Sequence, residues 1–312
     1  MPAEPSGSAS PAVSVVVPTA RRPELVVDAA RSVLAQTMAD LELIVVVDGR
    51  DDRTAVALAK LADRRLKTIT LDPARGGNAA RNAGVAAAAA PLVALLDDDD
   101  TWSPEHLQSL LAAVPAGQRP WCLFSRFTAV TAMGQETWPR RLKPPSEQVA
   151  DYLFDRRRLF HGEALLHPST MLCPRHLVLT HPFDETLRRH QDWDWLIRTE
   201  QATDMSIRVL PEVLAQVRVQ DGRQRSGFPV EEQLDWIESI RPLISRRAYS
   251  GYYLTQIGVR SSATRDRPLG RLALRRAFRF GRPRVRHLAV FVALWLVPPN
   301  VRRRIRTIVS RS

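Results

Sequence analysis

The chain has 312 residues, 45% of them hydrophobic and 25% charged, with a formal net charge of +12. That length and apolar share suit one large domain with ample core plus a smaller appendage. Two cysteines, Cys122 and Cys173, in a chain of this size argue against a disulfide scaffold and fit a reducing, cytoplasmic compartment; neither has a neighbour at metal-ligand spacing, so both read as small core residues.

Residues 1–11, rich in Pro, Ser and Ala, lack the basic start and apolar core of a secretion signal and read as a disordered tail. Val13 to Val17 is a β-branched strand ended by Pro18-Thr19. Pro23 then opens a helix whose Leu25, Val26, Ala29, Ala30, Val33 and Leu34 lie near helical spacing. A second strand, Leu41 to Val47, ends in Asp48-Gly49. A helix around Thr54 to Asp63 and a strand, Leu66 to Leu71, come next. The loop from Asp72 to Gly77 leads into an alanine-rich helix expected to be capped by Asn78. Leu92 to Leu96 reads as a buried strand, and four consecutive aspartates, Asp97 to Asp100, follow it. This alternation within about 90 residues predicts a doubly wound, mostly parallel sheet between helices.

The aspartate run carries the chemistry. Four carboxylates at a strand's C-terminal end repel one another and need compensating charge, for which a divalent cation is well suited. The competing reading is a solvated acidic turn that caps a helix from Ser103-Pro104 onward. In an open α/β sheet, Pro18-Thr19, Asp48 and the aspartates converge on one edge, where ligands bind. Gly76-Gly77 with Arg75, Arg81 and Asn82 suits phosphates, or is simply a turn. No G-x-G-x-x-G follows the first strand and no G-x-x-x-x-G-K-[ST] occurs, which counts against a dinucleotide oxidoreductase and excludes a P-loop NTPase. His161, His167 and His190 lack zinc spacing and read as structural.

The charge is unevenly spread. From Arg241 onward there are eighteen arginines and one acid, Asp266, a net of +17 that leaves the first 240 residues at −5. Within this tail the unbroken apolar run Leu288 to Val297 lies between arginine clusters. It is too short for a bilayer span, which needs roughly 20 residues. Apolar residues with Trp295 between arginines suit an anionic membrane surface better than nucleic acid; a buried helix is the alternative.

The segments Val13 to Thr19, "RSVLAQT" (Arg31 to Thr37), "LELIVVVDG" (Leu41 to Gly49), "GGNAARNAG" (Gly76 to Gly84) and "LLDDDDTWSPEHL" (Leu95 to Leu107) resemble, in order and spacing, a family 2 glycosyltransferase of the GT-A fold. His190 to Arg198 resembles the family's later acidic motif. Two departures are visible: Val47 replaces the family's second acid beside Asp48, and Gln191 replaces its common Glu. The resemblance covers roughly residues 12 to 225. It implies a metal-dependent, inverting transfer of sugar from a nucleotide-sugar donor, a UDP-sugar first, to a glycan or lipid-linked acceptor. By the same resemblance Asp192 is the catalytic base, its alternative role being a helix cap. Asp99 and Asp97 hold Mn²⁺ or Mg²⁺. The donor nucleotide meets Pro18, Thr19, Asp48, Arg75, Arg81, Asp97 and Asp98. Arg223 or Arg225, in a basic loop, closes over the diphosphate, the alternative being a solvated loop.

The expected organisation is a tail, 1–11, a catalytic domain, 12–235, and an Arg-rich helical extension, 236–312, at the inner membrane face. Nucleic acid is not an expected partner. Two rivals remain. A sugar nucleotidyltransferase usually has a glycine-rich loop after its first strand, which Pro18 to Pro23 lacks. A non-catalytic membrane- or polyanion-binding protein would use the acidic run structurally.

Overall fold

The structure is a computed structural model and describes residues 10–132, 134–155, 157, 162–219 and 228–297. The chain falls into two compact units. One comprises Met1–Ser125, His167–Gln191 and Leu214–Gln216; the other comprises Arg126–Leu166, Asp192–Val213 and Val217–Ser312. Neither is a single stretch of chain, whereas the sequence reading divides the molecule into consecutive segments.

In the first unit, β1 (Val13–Thr19) is buried along its whole length. A β-branched run covered on both faces suits a central parallel strand. α1 (Pro23–Leu34) starts on a proline whose fixed φ fits the first helical turn, and it turns Val26, Ala29, Ala30 and Val33 inward. β2 (Leu41–Asp48), α2 (Asp52–Ala59), β3 (Leu66–Leu71), α3 (Gly77–Ala87) and β4 (Leu92–Leu95) continue the alternation. The four strands lie in the order β3-β2-β1-β4, all parallel, with Val13 opposite both Leu41 and Leu92. Two steps run one way from β1 and the third returns across it. Right-handed crossovers therefore place α1 and α2 on one face and α3 on the other. The reversal between β1 and β4 is a topological switch point.

Beyond β4 the sheet becomes antiparallel. β8 (Met171–Pro174) pairs with β4, and the start of β6 (Trp121–Thr131) pairs with β8. β5 (Thr101–Trp102) pairs with the Leu214–Gln216 part of β9 (Ser206–Arg218). α4 (His106–Ala112) follows β5, and α6 (Arg175–Thr180) packs on α3. Cys122 and Cys173 are both fully buried, as small core residues.

Three local readings change. α2 stops at Ala59, short of Asp63, and Ala62 beyond it adopts a left-handed φ of 50°. α4 begins at His106 and not at Ser103, whose amide pairs with the Leu214 carbonyl. Gly76, at φ 95°, is the cap of α3, because Asn78 lies within the helix and donates Nδ2 to the Asp184 carbonyl at 2.5 Å. Gly84 has no room for a side chain: a methyl there would collide with Val16, so α3 rests directly on the sheet.

The second unit is built around Phe154, Trp193, Trp236 and Tyr252, whose ring centroids lie 5.3–6.4 Å apart in successive contacts. These come from α5 (Val149–Phe154), α7 (Gln191–Thr203), α8 (Val230–Ser239) and α9 (Arg246–Tyr252). β7 (Gly134–Trp138) pairs with the end of β6. A wide π turn, Tyr253–Ile257, joins α9 to α10 (Gly258–Thr264); α11 (Arg267–Arg279) and α12 (Val285–Leu296) follow. Asp155 pins the start of α12 by accepting from Arg284 Nε at 2.9 Å and Arg286 Nη2 at 3.3 Å. Trp195 is buried in the core. Among the described residues no helix is long and apolar enough to cross a membrane.

Candidate active site at the strand ends

Within the first unit, β1, β2 and β4 deliver Thr19, Asp48 and the aspartate turn to one edge of the sheet. The Thr19 hydroxyl donates to Asp98 Oδ2 at 2.7 Å across the switch point. Pro18 ahead of it is buried within β1. Asp48 clamps the loop before α3: its carboxylate accepts from the backbone amides of Arg75 at 2.6 Å and Gly76 at 2.8 Å. The Arg75 side chain donates Nη2 to Glu185 Oε2 at 2.6 Å. Asn82 donates to the Phe183 carbonyl.

Two arginines reach three of the four aspartates. Arg81 Nη2 donates to Asp97 Oδ1 at 2.7 Å and Nη1 reaches Asn78 Oδ1 and Gln191 Oε1 at 3.3 Å each. Arg22 Nη1 lies 3.0 Å from Asp98 Oδ1 and 3.4 Å from Asp99 Oδ2. Charge compensation that the sequence reading gave to a cation is thus shared by two guanidinium groups. Burial alone would raise the Asp97 pKa, but the Arg81 charge, with His167 and Arg22 behind it, holds it below the usual value. Asp98 goes the other way. Its burial outweighs Thr19 and Arg22 and pushes its pKa up.

Ser169 organises this turn. Its hydroxyl accepts from the Asp97 amide at 3.0 Å and donates to Asp100 Oδ2 at 2.6 Å, while its carbonyl accepts from Trp102 Nε1 at 2.6 Å. Trp102 in turn stacks on His106, with ring centroids 4.1 Å apart. His167 Nδ1 is 3.7 Å from Asp100 Oδ2. One ligand atom each from Asp97, Asp100 and His167 lies within 4.8 Å of the others, a carboxylate–imidazole set suited to a divalent ion such as Mn²⁺.

Sequence reasoning did not single out Arg22, Asp100 or Ser169 as site residues, and it read His167 as structural. The available signal was Arg21-Arg22 after β1 and His-Pro-Ser-Thr ahead of an apolar strand. In the second unit, Asp192 lies in the first turn of α7 and is half-buried. Two residues on, Asp194 is buried and accepts from Arg198 Nε at 2.9 and 3.0 Å and from Trp236 Nε1 at 2.9 Å. His161, Arg223 and Arg225 lie outside the described residues.

The fold has solved counterparts. Staphylococcus aureus TarS 1–349 in complex with UDP-GlcNAc superposes with a TM-score of 0.58 at 19% identity, over 96% of this chain and 87% of that one. The mannosyltransferase PcManGT from Pyrobaculum calidifontis, in complex with GDP-Man and Mn²⁺, gives 0.58 at 17% identity, over 98% and 86%. Both are similar in fold, the GT-A α/β architecture. The family model Glycosyl transferase family 2 matches residues 14–178. The chain belongs to that family and is a glycosyltransferase. The amylovoran biosynthesis glycosyltransferase AmsB of Erwinia amylovora is 26% identical over 256 residues, 77% of this chain and 82% of the relative. An Escherichia coli UDP-Glc:α-D-GlcNAc-diphosphoundecaprenol β-1,3-glucosyltransferase, WfgD, is 33% identical over 96 residues, 31% of this chain and 38% of that protein.

Proposed function

We propose that this glycosyltransferase moves a hexosyl group from a nucleoside diphosphate sugar, a UDP-sugar first, to a hydroxyl of an envelope glycan or lipid-linked intermediate, inverting the anomeric carbon. The observation that carries the donor half is the gathering of Thr19, Asp48 and the aspartate turn at the ends of three parallel strands. Pro18, Thr19 and Asp48 then face the nucleoside, Asp97 and Asp98 the ribose, and Arg75 and Arg81 the diphosphate. The names of AmsB and WfgD support an envelope or lipid-linked acceptor, and the proposed setting is the cytoplasmic side of the cell membrane.

A divalent ion fits the turn, where hard carboxylate oxygens and an imidazole converge. Asp99 and Asp97 are the proposed ligands, with Asp100 and His167 as the further donors. When bound, such an ion supplies Lewis-acid stabilisation of the departing diphosphate. The chain's own groups do the rest. Asp192 takes the proton of the acceptor hydroxyl as its oxygen bonds to the anomeric carbon and the bond to the nucleotide breaks. Asp192 follows Gln191, whose side chain meets Arg81, in the chain.

Calorimetric titration of UDP with and without Mn²⁺ tests the donor site. Metal-dependent binding lost in Asp99→Ala assigns the expected ligand. Loss in Asp100→Ala with Asp99→Ala unaffected assigns the Asp97–Asp100–His167 set instead. Absence of binding by UDP, GDP and dTDP alike overturns the reading and favours a non-catalytic binding protein.

A further inference from the structure

We propose that the outward face of α12, with the exposed arginines of α11, docks onto an anionic lipid bilayer and lies in its plane. On α12, Val285 is 83% exposed, Val292 51% and Leu296 75%, and Ala289 between them is exposed too. These positions repeat every three to four residues, so they form one line along the helix.

That line is not a helix left unpacked. The opposite side is seated: His287 and Phe291 are buried, Phe291 lies against Gly258, and Trp295 lies against Gly270 of α11. The helix start is tied to Asp155. α12 is therefore held in place with an apolar stripe facing out.

Charge selects the occupant. Arg267, Arg271, Arg275 and Arg282 are exposed and have no acidic partner among the described residues. Phe278, 59% exposed, sits among them. Asp266, the one acid after Arg241, caps α11 through the Leu269 amide at 2.9 Å. A second copy of this chain would set arginines against arginines. Nucleic acid would meet the arginines and leave the apolar stripe in water. An anionic bilayer satisfies both, its headgroups taking the guanidinium groups and its interface the Val, Leu and Phe side chains. A helix of 12 residues rises about 18 Å, against a hydrocarbon core of about 30 Å, so it lies on the membrane and does not span it.

The test is co-sedimentation of the full chain with phosphatidylcholine vesicles, with and without phosphatidylglycerol. The wild type is expected to sediment with the anionic vesicles and not with the neutral ones. Val292→Asp/Leu296→Asp should lower partition by about ten-fold or more. Arg271→Glu/Arg275→Glu should lower it by about five-fold per arginine and flatten its salt dependence. UDP binding, measured on the same samples, should be unchanged in both variants, which separates this inference from the donor reading. No wild-type binding to anionic vesicles, or equal binding by both variants, overturns it. So does light scattering that shows a dimer dissociated by Val292→Asp/Leu296→Asp, since the face then belongs to a second copy.

Discussion

In the first unit Asp97, Asp98, Asp99 and Asp100 crowd one turn after β4, whereas in the second unit Asp155, Asp194 and Glu200 stand apart, each with its own donors. Asp194 has Arg198 and Trp236, Asp155 has Arg284 and Arg286, and Glu200 accepts from the Val149 amide at 2.8 Å. Crowding like charges costs stability, while a solitary buried carboxylate with matched donors ties elements together. On the proposed reading the crowded set serves the donor and the dispersed set ties the architecture together.

The QDWDW segment puts that distinction within three residues. Asp192→Asn should lower kcat by about 10²–10⁴-fold with UDP binding intact. Asp194→Asn should instead cost about 1–3 kcal/mol of stability, seen as a lower Tm, because a buried acceptor of two partners is weakened. Exchange of these two outcomes would break the comparison.

Ser169→Ala probes the crowded set from behind. It strips the Asp97 amide and Asp100 of a partner, so about 1–3 kcal/mol of stability and some UDP affinity should be lost together. A fall in Tm with UDP affinity unchanged would make Ser169 purely architectural.

A further effect is one of pH. Burial lowers the His106 pKa from 6.5 to about 3, against the opposing hydrogen bond to the Leu214 carbonyl. The unfolded chain therefore takes up this proton first. The His106 contribution is whole above about pH 6.5 and fades as pH falls toward 3, at up to about 1.4 kcal/mol per pH unit. His106→Gln should flatten denaturant-measured stability across that window. An unchanged slope would assign acid sensitivity to other groups.

The four parallel strands of the first unit were legible because runs such as Val13–Thr19 and Leu41–Asp48 are β-branched and closed by turn residues, whereas the antiparallel strands beyond β4 were not read from the sequence. The strand-end candidates followed from where ligands bind in such sheets. Ser169 and Arg22 were not legible, because their bonds to the aspartate turn span 69 to 77 residues and leave no local pattern. Asn78 looked like a cap, and only its contact with Asp184 shows it serving as a tie. The run Leu288 to Val297 was ambiguous for a different reason. A uniformly apolar helix has no polar phase, so its inner and outer faces are separated by Gly258 and Gly270, not by its own residues.

The π turn at Tyr253–Ile257 holds about one residue more than an α-helical turn. One surplus residue rotates all that follows by about 100° around the helix axis. The meeting of Gly258 with Phe291 is therefore phase-locked to this surplus. Insertion or deletion of a single residue there would re-aim the arginine-rich C-terminal layer relative to the Phe154–Trp236–Tyr252 cluster without changing any side chain in it.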